Sequence, residues 1–260
     1  MKEIQVGVIG GTRGMGKWFA DYLREQGWRV HVAGRNSGMT RAEMAASCDV
    51  VVVSVPISET VYIIEQIGPM LRAECLLMDL TSLKIASVAA MLQFSAAEVI
   101  GCHPLFGPQV GSLESQHVIL CPARAGKWLP WLRGVLEKGG ALLVETTPER
   151  HDELMSVVQG LNHFNTIMMG LVVSKVAAPI EQIAPYTTPL FIDKISMVKK
   201  IFGETPQLYA EIICHNEMMA GIMSIYEQIL GKIKPYVLKG DAEGLTQVLQ
   251  RGAERLWPQE

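Results

Sequence analysis

Continuous apolar runs, rich in β-branched residues, recur through the first 150 residues of the chain. Most are separated by longer segments whose apolar residues repeat every three or four positions, which predicts helices over residues 15–26, 58–67 and 127–138. Strands that are apolar throughout are typical of a parallel sheet covered on both faces. With right-handed crossovers, the alternation predicts an α/β domain over residues 1–150, built on a doubly wound (Rossmann) parallel sheet. Its strands are predicted at residues 4–9, 29–33, 50–55, 75–80, 99–102, 117–121 and 141–145.

The pattern changes after residue 148, where helical spacing takes over and no strand candidate remains. Proline or glycine ends the predicted helices near Pro185 and Pro189, between Gly203 and Pro206, and at Pro235. We therefore expect an all-helical domain over residues 151–260. Its helices are predicted at residues 149–175, 190–202, 206–230 and 242–256.

Composition excludes two classes of protein. Of the 260 residues 49% are apolar, which excludes a disordered chain. There are 23 Lys and Arg against 26 Asp and Glu, so no basic excess exists to bind nucleic acid.

The five cysteines indicate the compartment. They are scattered, odd in number and form no C-x-x-C pair, so we expect reduced thiols, no disulfide framework and no metal site. The N-terminal apolar run is too short for a signal peptide, and no apolar run approaches the roughly 20 residues of a membrane span. The sequence predicts a cytoplasmic protein without a membrane partner.

A glycine-rich turn joins the first predicted strand to the first predicted helix. Glycines let such a turn approach a pyrophosphate, whose charge then lies at the helix N-terminus. Its position in an alternating pattern predicts a dinucleotide-binding site, and a tight turn without a ligand is the alternative. The predicted cofactor-binding residues of the turn are Gly10, Gly11, Thr12, Arg13, Gly14, Met15 and Gly16.

The end of the second predicted strand bears on which cofactor binds. A carboxylate usually meets a free ribose 2′-hydroxyl about 20 residues after the turn, but residues 33–37 contain none. Arg35 stands there and can pair with a 2′-phosphate, which favours NADP over NAD. If Arg35 is only a solvated cation, either cofactor binds. The turn also resembles that of short-chain dehydrogenases, yet none of the six tyrosines has the lysine four residues later that this family needs.

Polar residues follow several of the predicted strands. In a doubly wound sheet these carboxyl ends face the ligand crevice, so the segment Ser54, Val55 and Pro56 is predicted to contact the cofactor. His103 closes an apolar strand and is placed as a general base near neutral pH. Ser82 arrives from the neighbouring strand end, which favours a catalytic histidine over a structural one.

Two longer motifs resemble those of prephenate dehydrogenases of tyrosine biosynthesis. They are Asp-Leu-Thr-Ser-Leu-Lys at residues 79–84 and Gly-Cys-His-Pro-Leu-Phe-Gly-Pro-Gln-Val-Gly-Ser-Leu at residues 101–113. The resemblance continues in the helical half, at residues 158–164, 196–198 and 208–213. It implies a homodimer formed through the C-terminal helices. It also implies oxidative decarboxylation of a cyclohexadienyl substrate to 4-hydroxyphenylpyruvate, with hydride passing from ring C4 to the nicotinamide.

The same resemblance implies roles for individual residues. His103 matches the catalytic histidine that hydrogen-bonds the 4-hydroxyl, and Ser82 matches the serine that orients that histidine and the cofactor. His163 matches a second histidine of the substrate pocket, with helix packing as the alternative, and Tyr209 belongs to the same set.

Two departures from the family pattern concern the substrate. Lys200 stands where the family has a carboxylate-binding arginine, and Gln109 stands where it often has an acid. Lysine keeps the charge but loses the bidentate fork, and a solvated helix face is the alternative role for Lys200. Prephenate, arogenate and a 4-amino analogue all remain open as substrates. A non-catalytic dinucleotide-binding redox sensor is the alternative from a different class.

Overall fold

The computed structural model describes residues 4–34, 39–176 and 179–258. Its seven strands form one sheet in the order β2-β1-β3-β4-β5-β6-β7, and β1 to β5 run parallel. Every predicted strand is present, and the predicted α/β fold class is confirmed. The strands are β1 (Gln5–Ile9), β2 (Arg29–Ala33), β3 (Val50–Val53), β4 (Leu76–Asp79), β5 (Glu98–Pro104), β6 (His117–Arg124) and β7 (Leu142–Glu145).

The sheet reverses direction at one edge. β6 pairs antiparallel with β5, with His103 opposite Ile119, and β7 then runs parallel to β6. Residues 105–116 between β5 and β6 contain no helix, so the chain returns without the crossover that a parallel pair needs. The expectation of a wholly parallel sheet is therefore wrong for β6 and β7.

Helices cover both faces of the sheet, which explains the continuous apolar strands. Val50 and Val52 of β3 pack into one core with Phe19 and Leu132, whereas its other two valines pack into a second core on the opposite face. The helices between the strands are α1 (Gly14–Glu25), α2 (Arg41–Ser47), α3 (Ile57–Ile67), α4 (Ile85–Phe94) and α5 (Trp128–Lys138).

From Pro148 onward the described elements are all helical. The predicted helix over 149–175 is present, but a π-helical segment, Ser156–Leu161, interrupts it. The helices are α6 (Pro148–Met155), α7 (Asn162–Val176), α8 (Ile180–Ile183), α9 (Pro189–Gly203), α10 (Pro206–Cys214), α11 (Met219–Lys239) and α12 (Ala242–Leu256).

The expectation of one helix over 206–230 is wrong, because α10 ends at Cys214 and α11 begins at Met219. Buried Asn216 lies in the break and donates its side-chain N–H to the carbonyl of Asp152 at 2.8 Å. The predicted end at Pro235 is also wrong. The helix continues through this proline to Lys239, and Gly240, whose φ of +67° is left-handed, caps its C-terminus.

The chain divides into two compact units, Met1–Asn216 and Glu217–Glu260. The second unit is the pair α11 and α12, in which Tyr236 lies against Gly244. This division is of a different kind from the domain boundary expected near residue 150, which stays a prediction.

Within the described ranges, no helix combines the length and the apolar content that crossing a lipid bilayer requires.

Candidate functional site

The strand order reverses beside β1, where β2 lies on one side and β3 on the other. Gly10 turns the chain there with a φ of +82°, and its N–H donates to the carbonyl of Ala33 at 2.9 Å. A Cβ at Gly10 would lie 2.0 Å from the carbonyl oxygen of Ser54 and 3.2 Å from the side chain of Val55. The glycine turn and the predicted segment 54–56 therefore meet at the carboxyl edge of the sheet, where doubly wound folds bind ligands.

The N-terminus of α1 is open to an anion. The helix begins at Gly14, where an added Cβ would meet no atom within 4 Å. Arg13 is the N-cap residue and makes no side-chain cap, and the first turn carries no acidic residue. Backbone N–H groups at such a terminus attract phosphate. A Cβ at Gly16 would lie 2.6 Å from the carbonyl oxygen of Gly10, so this glycine lets the helix pack closely on the turn.

The remaining predicted cofactor-binding residues differ in their exposure to solvent. Thr12 is exposed, lies against Gly34 and follows the buried Gly11, while Met15 is half-buried. Pro56 is exposed at the start of α3. Arg35 lies outside the described residues.

A buried ion pair organises the next two strand ends. Lys84 and Asp79 are fully buried and their charged groups are in contact. The Lys84 ammonium also donates to the carbonyl of Cys102 at 3.0 Å and lies 3.3 Å from the hydroxyl of Thr81. The loop after β4 is thereby fixed to the residue that precedes His103. Half-buried Ser82 lies on this loop, at the same edge of the sheet as His103.

His103 lies in a chain of buried hydrogen-bonding groups. Its Nδ1 is 2.8 Å from Nε2 of His151, and Nδ1 of His151 is 2.7 Å from Oδ1 of Asp152. His103, His151 and Asp152 are all buried. Burial, together with the neighbouring His151 and Lys84, holds the pKa of His103 well below its usual value. His103 is therefore neutral at physiological pH and able to accept a proton.

The π-helical segment brings Gln159 to the other side of the His103 ring. The side-chain nitrogen of Gln159 lies 3.4 Å from Nε2 of His103, whereas its buried Oε1 has no hydrogen-bond partner among the described residues. π-Helical turns occur frequently at functional sites because they reposition side chains. Gln159 marks the place where a polar group could meet Nε2 of His103.

His163 and Tyr209 form a second contact, between α7 and α10. Their rings meet edge to face at 4.8 Å, and both side chains are half-buried. Burial lowers the pKa of His163, while burial and the nearby Glu204 raise that of Tyr209. Both groups are therefore neutral at pH 7 and can hydrogen-bond a ligand without adding charge.

Two predicted substrate residues are not joined to these clusters. Lys200 is exposed on α9 and forms no ion pair with any residue in the described ranges. Gln109 is exposed in a turn closed by the bond from the Val110 N–H to the carbonyl of Gly107 at 3.2 Å.

Sequence reasoning missed His151, Asp152 and Gln159. Gln159 lies in the family-like segment 158–164 without a predicted role, and no role is predicted for His151 or Asp152. A histidine followed by an aspartate at the start of a helix is the only signal that the sequence offers for them.

Two family models match successive parts of the chain. Residues 19–145 match the model described as "Prephenate dehydrogenase, nucleotide-binding domain", and residues 147–251 match "Prephenate dehydrogenase, dimerization domain".

Individual proteins agree with these models. A probable arogenate/prephenate dehydrogenase of Methanocaldococcus jannaschii is 34% identical over 97% of this chain and 61% of its own length. The T-protein of Haemophilus influenzae is 30% identical over 94% of this chain and 65% of its own length. The chain thus spans less than two thirds of these relatives. A crystal structure of prephenate dehydrogenase from Aquifex aeolicus with hydroxyphenyl propionate and NAD+ has a TM-score of 0.77, is 21% identical, covers 98% of each chain and shares the fold.

Proposed function

Because this chain belongs to the prephenate dehydrogenase family, we propose that it catalyses the NAD(P)-dependent oxidative decarboxylation of prephenate to 4-hydroxyphenylpyruvate. The observation that carries the proposal is the position of His103, buried and neutral at the same sheet edge as the glycine turn. Both features lie at the edge where doubly wound sheets bind dinucleotides and their substrates.

The residues of the turn suit a dinucleotide. We expect the uncapped N-terminus of α1 and the glycine turn to hold the pyrophosphate, with Ser54, Val55 and Pro56 beside them. A bound oxidised nicotinamide supplies the acceptor for the hydride that leaves ring C4. Arg35 in place of a carboxylate supports NADP over NAD.

His103 then accepts a proton. As the hydride leaves C4, the O–H bond of the 4-hydroxyl breaks, its proton passes to His103 and a C=O bond forms at C4. The carboxylate at C1 leaves as CO2, and its bonding electrons make the ring aromatic and turn the C4 carbonyl into a phenolate. The proton on His103 returns to this oxygen, so the products are 4-hydroxyphenylpyruvate and CO2 and the base is regenerated.

The other predicted residues have positioning roles in this proposal. Ser82, on the loop that the buried ion pair fixes to β5, orients His103 and the cofactor. His163 and Tyr209 contact the ring or its side chain as neutral hydrogen-bonding groups. Lys200 would offer charge to a substrate carboxylate, and Gln109 would contact the substrate without the negative charge of an acid.

The proposal leaves three cyclohexadienyl acids as candidate substrates: prephenate, arogenate and a 4-amino analogue. Arogenate keeps the same C4–H bond, 4-hydroxyl and ring carboxylate, so the mechanism above applies to it directly. In a 4-amino analogue an N–H bond breaks in place of the O–H bond and a C=N bond forms at C4 before CO2 leaves, so the product carries an amino group at C4. Lys200 in place of the arginine favours testing them, because a lysine recognises a carboxylate less directionally. We expect Lys200→Arg to raise kcat/KM for prephenate if the natural substrate is one of these relatives.

The test is turnover of purified protein with prephenate, arogenate and 4-amino-4-deoxyprephenate, each with NAD+ and NADP+, followed by nicotinamide absorbance. His103→Asn should then lower kcat by about 10²-fold or more while the cofactor Kd is unchanged, because only the proton acceptor is lost. Retained activity in that variant would refute the role of His103. Tight cofactor binding without turnover of any of the three acids would favour a redox sensor.

We also propose a homodimer through the C-terminal helices. Apolar residues on α11 and α12 are exposed in a single chain, among them Ile225, Val237, Leu238 and Leu249. Light scattering after size exclusion should give twice the mass of one chain. Leu238→Glu should reduce the measured mass toward that of a monomer, whereas Lys232→Glu, at an exposed lysine of α11, should leave it unchanged. A wild-type protein with the mass of one chain would refute the dimer.

A further inference from the structure

We propose that His151 and Asp152 are positioning residues, which hold His103 in the tautomer whose Nε2 is free to accept the substrate proton. The inference rests on the proposed function only for the identity of that substrate. The hydrogen-bond chain itself is a property of the folded protein.

The direction of these hydrogen bonds, from His103 through His151, follows from the carboxylate of Asp152 at their end. An ionised carboxylate only accepts hydrogen bonds, so Nδ1 of His151, 2.7 Å from Oδ1 of Asp152, must carry the proton. With this one proton on the ring, His151 has its lone pair on Nε2. Since this Nε2 lies 2.8 Å from Nδ1 of His103, Nδ1 of His103 must be the donor. Neutral His103 is left with its lone pair on Nε2.

Gln159 agrees with this assignment from the opposite side of the ring. Its amide nitrogen, which can only donate, lies 3.4 Å from Nε2 of His103. The contact is longer than a typical N–H···N bond, so a substrate hydroxyl can replace it at low cost. Gln159 therefore occupies the direction from which Nε2 receives a proton.

The carboxylate that sets the direction is held rigidly. Asp152 accepts the backbone N–H of Lys84 at 2.8 Å and that of Ile85 at 3.0 Å, so it caps α4, which has no side-chain cap of its own. The positive end of α4 favours a negative charge at this position. Asn216 binds the Asp152 carbonyl at 2.8 Å and fixes the backbone as well. The same carboxylate thus anchors the segment that follows Ser82.

The arrangement also matters once the proton has moved. Protonated His103 would be a cation in a buried site that already contains the Lys84 ammonium. Its Nδ1–H keeps an acceptor in His151, which is polarised by Asp152, and such charge-assisted bonds are stronger than neutral ones. Removing this series of hydrogen bonds should therefore slow proton transfer more than it weakens substrate binding.

The first experiment needs neither substrate nor cofactor. We would label histidine with 15N and read the protonation of each ring nitrogen by long-range 1H–15N correlation, using His103→Asn to assign the signals. A neutral His103 protonated on Nδ1 is the expected result. A His103 protonated on Nε2 overturns the proposal, whether or not the protein turns over prephenate.

The second experiment compares two substitutions at one site. His151→Leu removes the acceptor for His103, while His151→Gln keeps an amide oxygen that can accept from Nδ1. We expect kcat to fall by about 100-fold in the leucine variant, with KM and cofactor Kd little changed, and the glutamine variant to regain about tenfold. Equal loss in both variants, or loss confined to KM, would indicate a packing role and overturn the proposal. His117→Leu, at an exposed histidine of β6, is the control.

Asp152→Asn tests the last member. An asparagine can turn its amide toward His151, so the direction of the chain is no longer imposed, and both tautomers of His103 should appear in the 15N spectrum. A spectrum identical to wild type would remove Asp152 from the proposal. If the wild type has no activity with any substrate in the panel, the proposed function fails while the tautomer result still decides this inference.

Discussion

Replacing Lys84 by methionine should destabilise the protein strongly, because it removes the charge while keeping an unbranched apolar stem one atom shorter. The Lys84 stem packs beside Gly101, where an added Cβ would lie 3.0 Å from Cδ of the lysine, so methionine can occupy the same space. Asp79 would keep its bonds to Thr81 and lose its ion pair inside the protein. Its Oδ1 already has no hydrogen-bond partner among the described residues.

The magnitude follows from the burial of both partners. Removing one member of a fully buried pair leaves an uncompensated charge and costs about 3–5 kcal/mol, a large part of the 5–15 kcal/mol typical of a folded domain. The double variant Lys84→Met with Asp79→Asn removes both charges and should recover about 2 kcal/mol of that loss.

Urea unfolding followed by tryptophan fluorescence, at one pH and one protein concentration, measures these free energies. Lys138→Met, at an exposed lysine of α5, should change stability by less than about 0.5 kcal/mol. A cost below about 1 kcal/mol for Lys84→Met would refute the reasoning, as would a double variant that is no more stable than Lys84→Met.

Two further predictions concern the cofactor turn and the base. Gly10→Ala should lower both the melting temperature and the cofactor affinity, because its Cβ would lie 2.0 Å from the Ser54 carbonyl oxygen at a φ of +82°. The control Gly134→Ala, in α5, should lower neither, because an added Cβ there meets open space. Unchanged cofactor binding in both variants would contradict this account. Burial, together with His151 and Lys84, lowers the pKa of His103, and only the neutral form of this histidine accepts a proton. The acidic limb of the pH profile of kcat/KM should therefore lie below pH 6.5. A limb above pH 6.5 would exclude His103 as the base.

The sequence predicted the sheet well because each strand has a local signal. The four valines of β3 have no polar face, so only a strand buried on both sides accommodates them. His103 and Ser82 could be placed as well, because the carboxyl ends of neighbouring parallel strands meet at one edge.

The features that sequence reasoning missed depend on distant partners. The break between α10 and α11 contains Asn216, whose partner Asp152 is 64 residues away. His151 contacts a strand residue 48 positions earlier, and no periodicity in α6 reports that contact. The reversal at β6 likewise depends on a loop without a helix, which the apolar pattern of the strands does not record.

The π-helical segment between α6 and α7 changes the direction in which the side chains of α7 project, relative to those of α6. An α-helix turns about 100° per residue, and a π turn takes an additional residue, so α7 is rotated by roughly that angle from where a regular helix would place it. This offset lets α6 direct His151 toward β5 while α7 directs His163 toward α10. Deleting one residue from 156–161 would restore an ordinary α-helix. The side chains of His151 and His163 would then point in different relative directions, although neither residue had been changed.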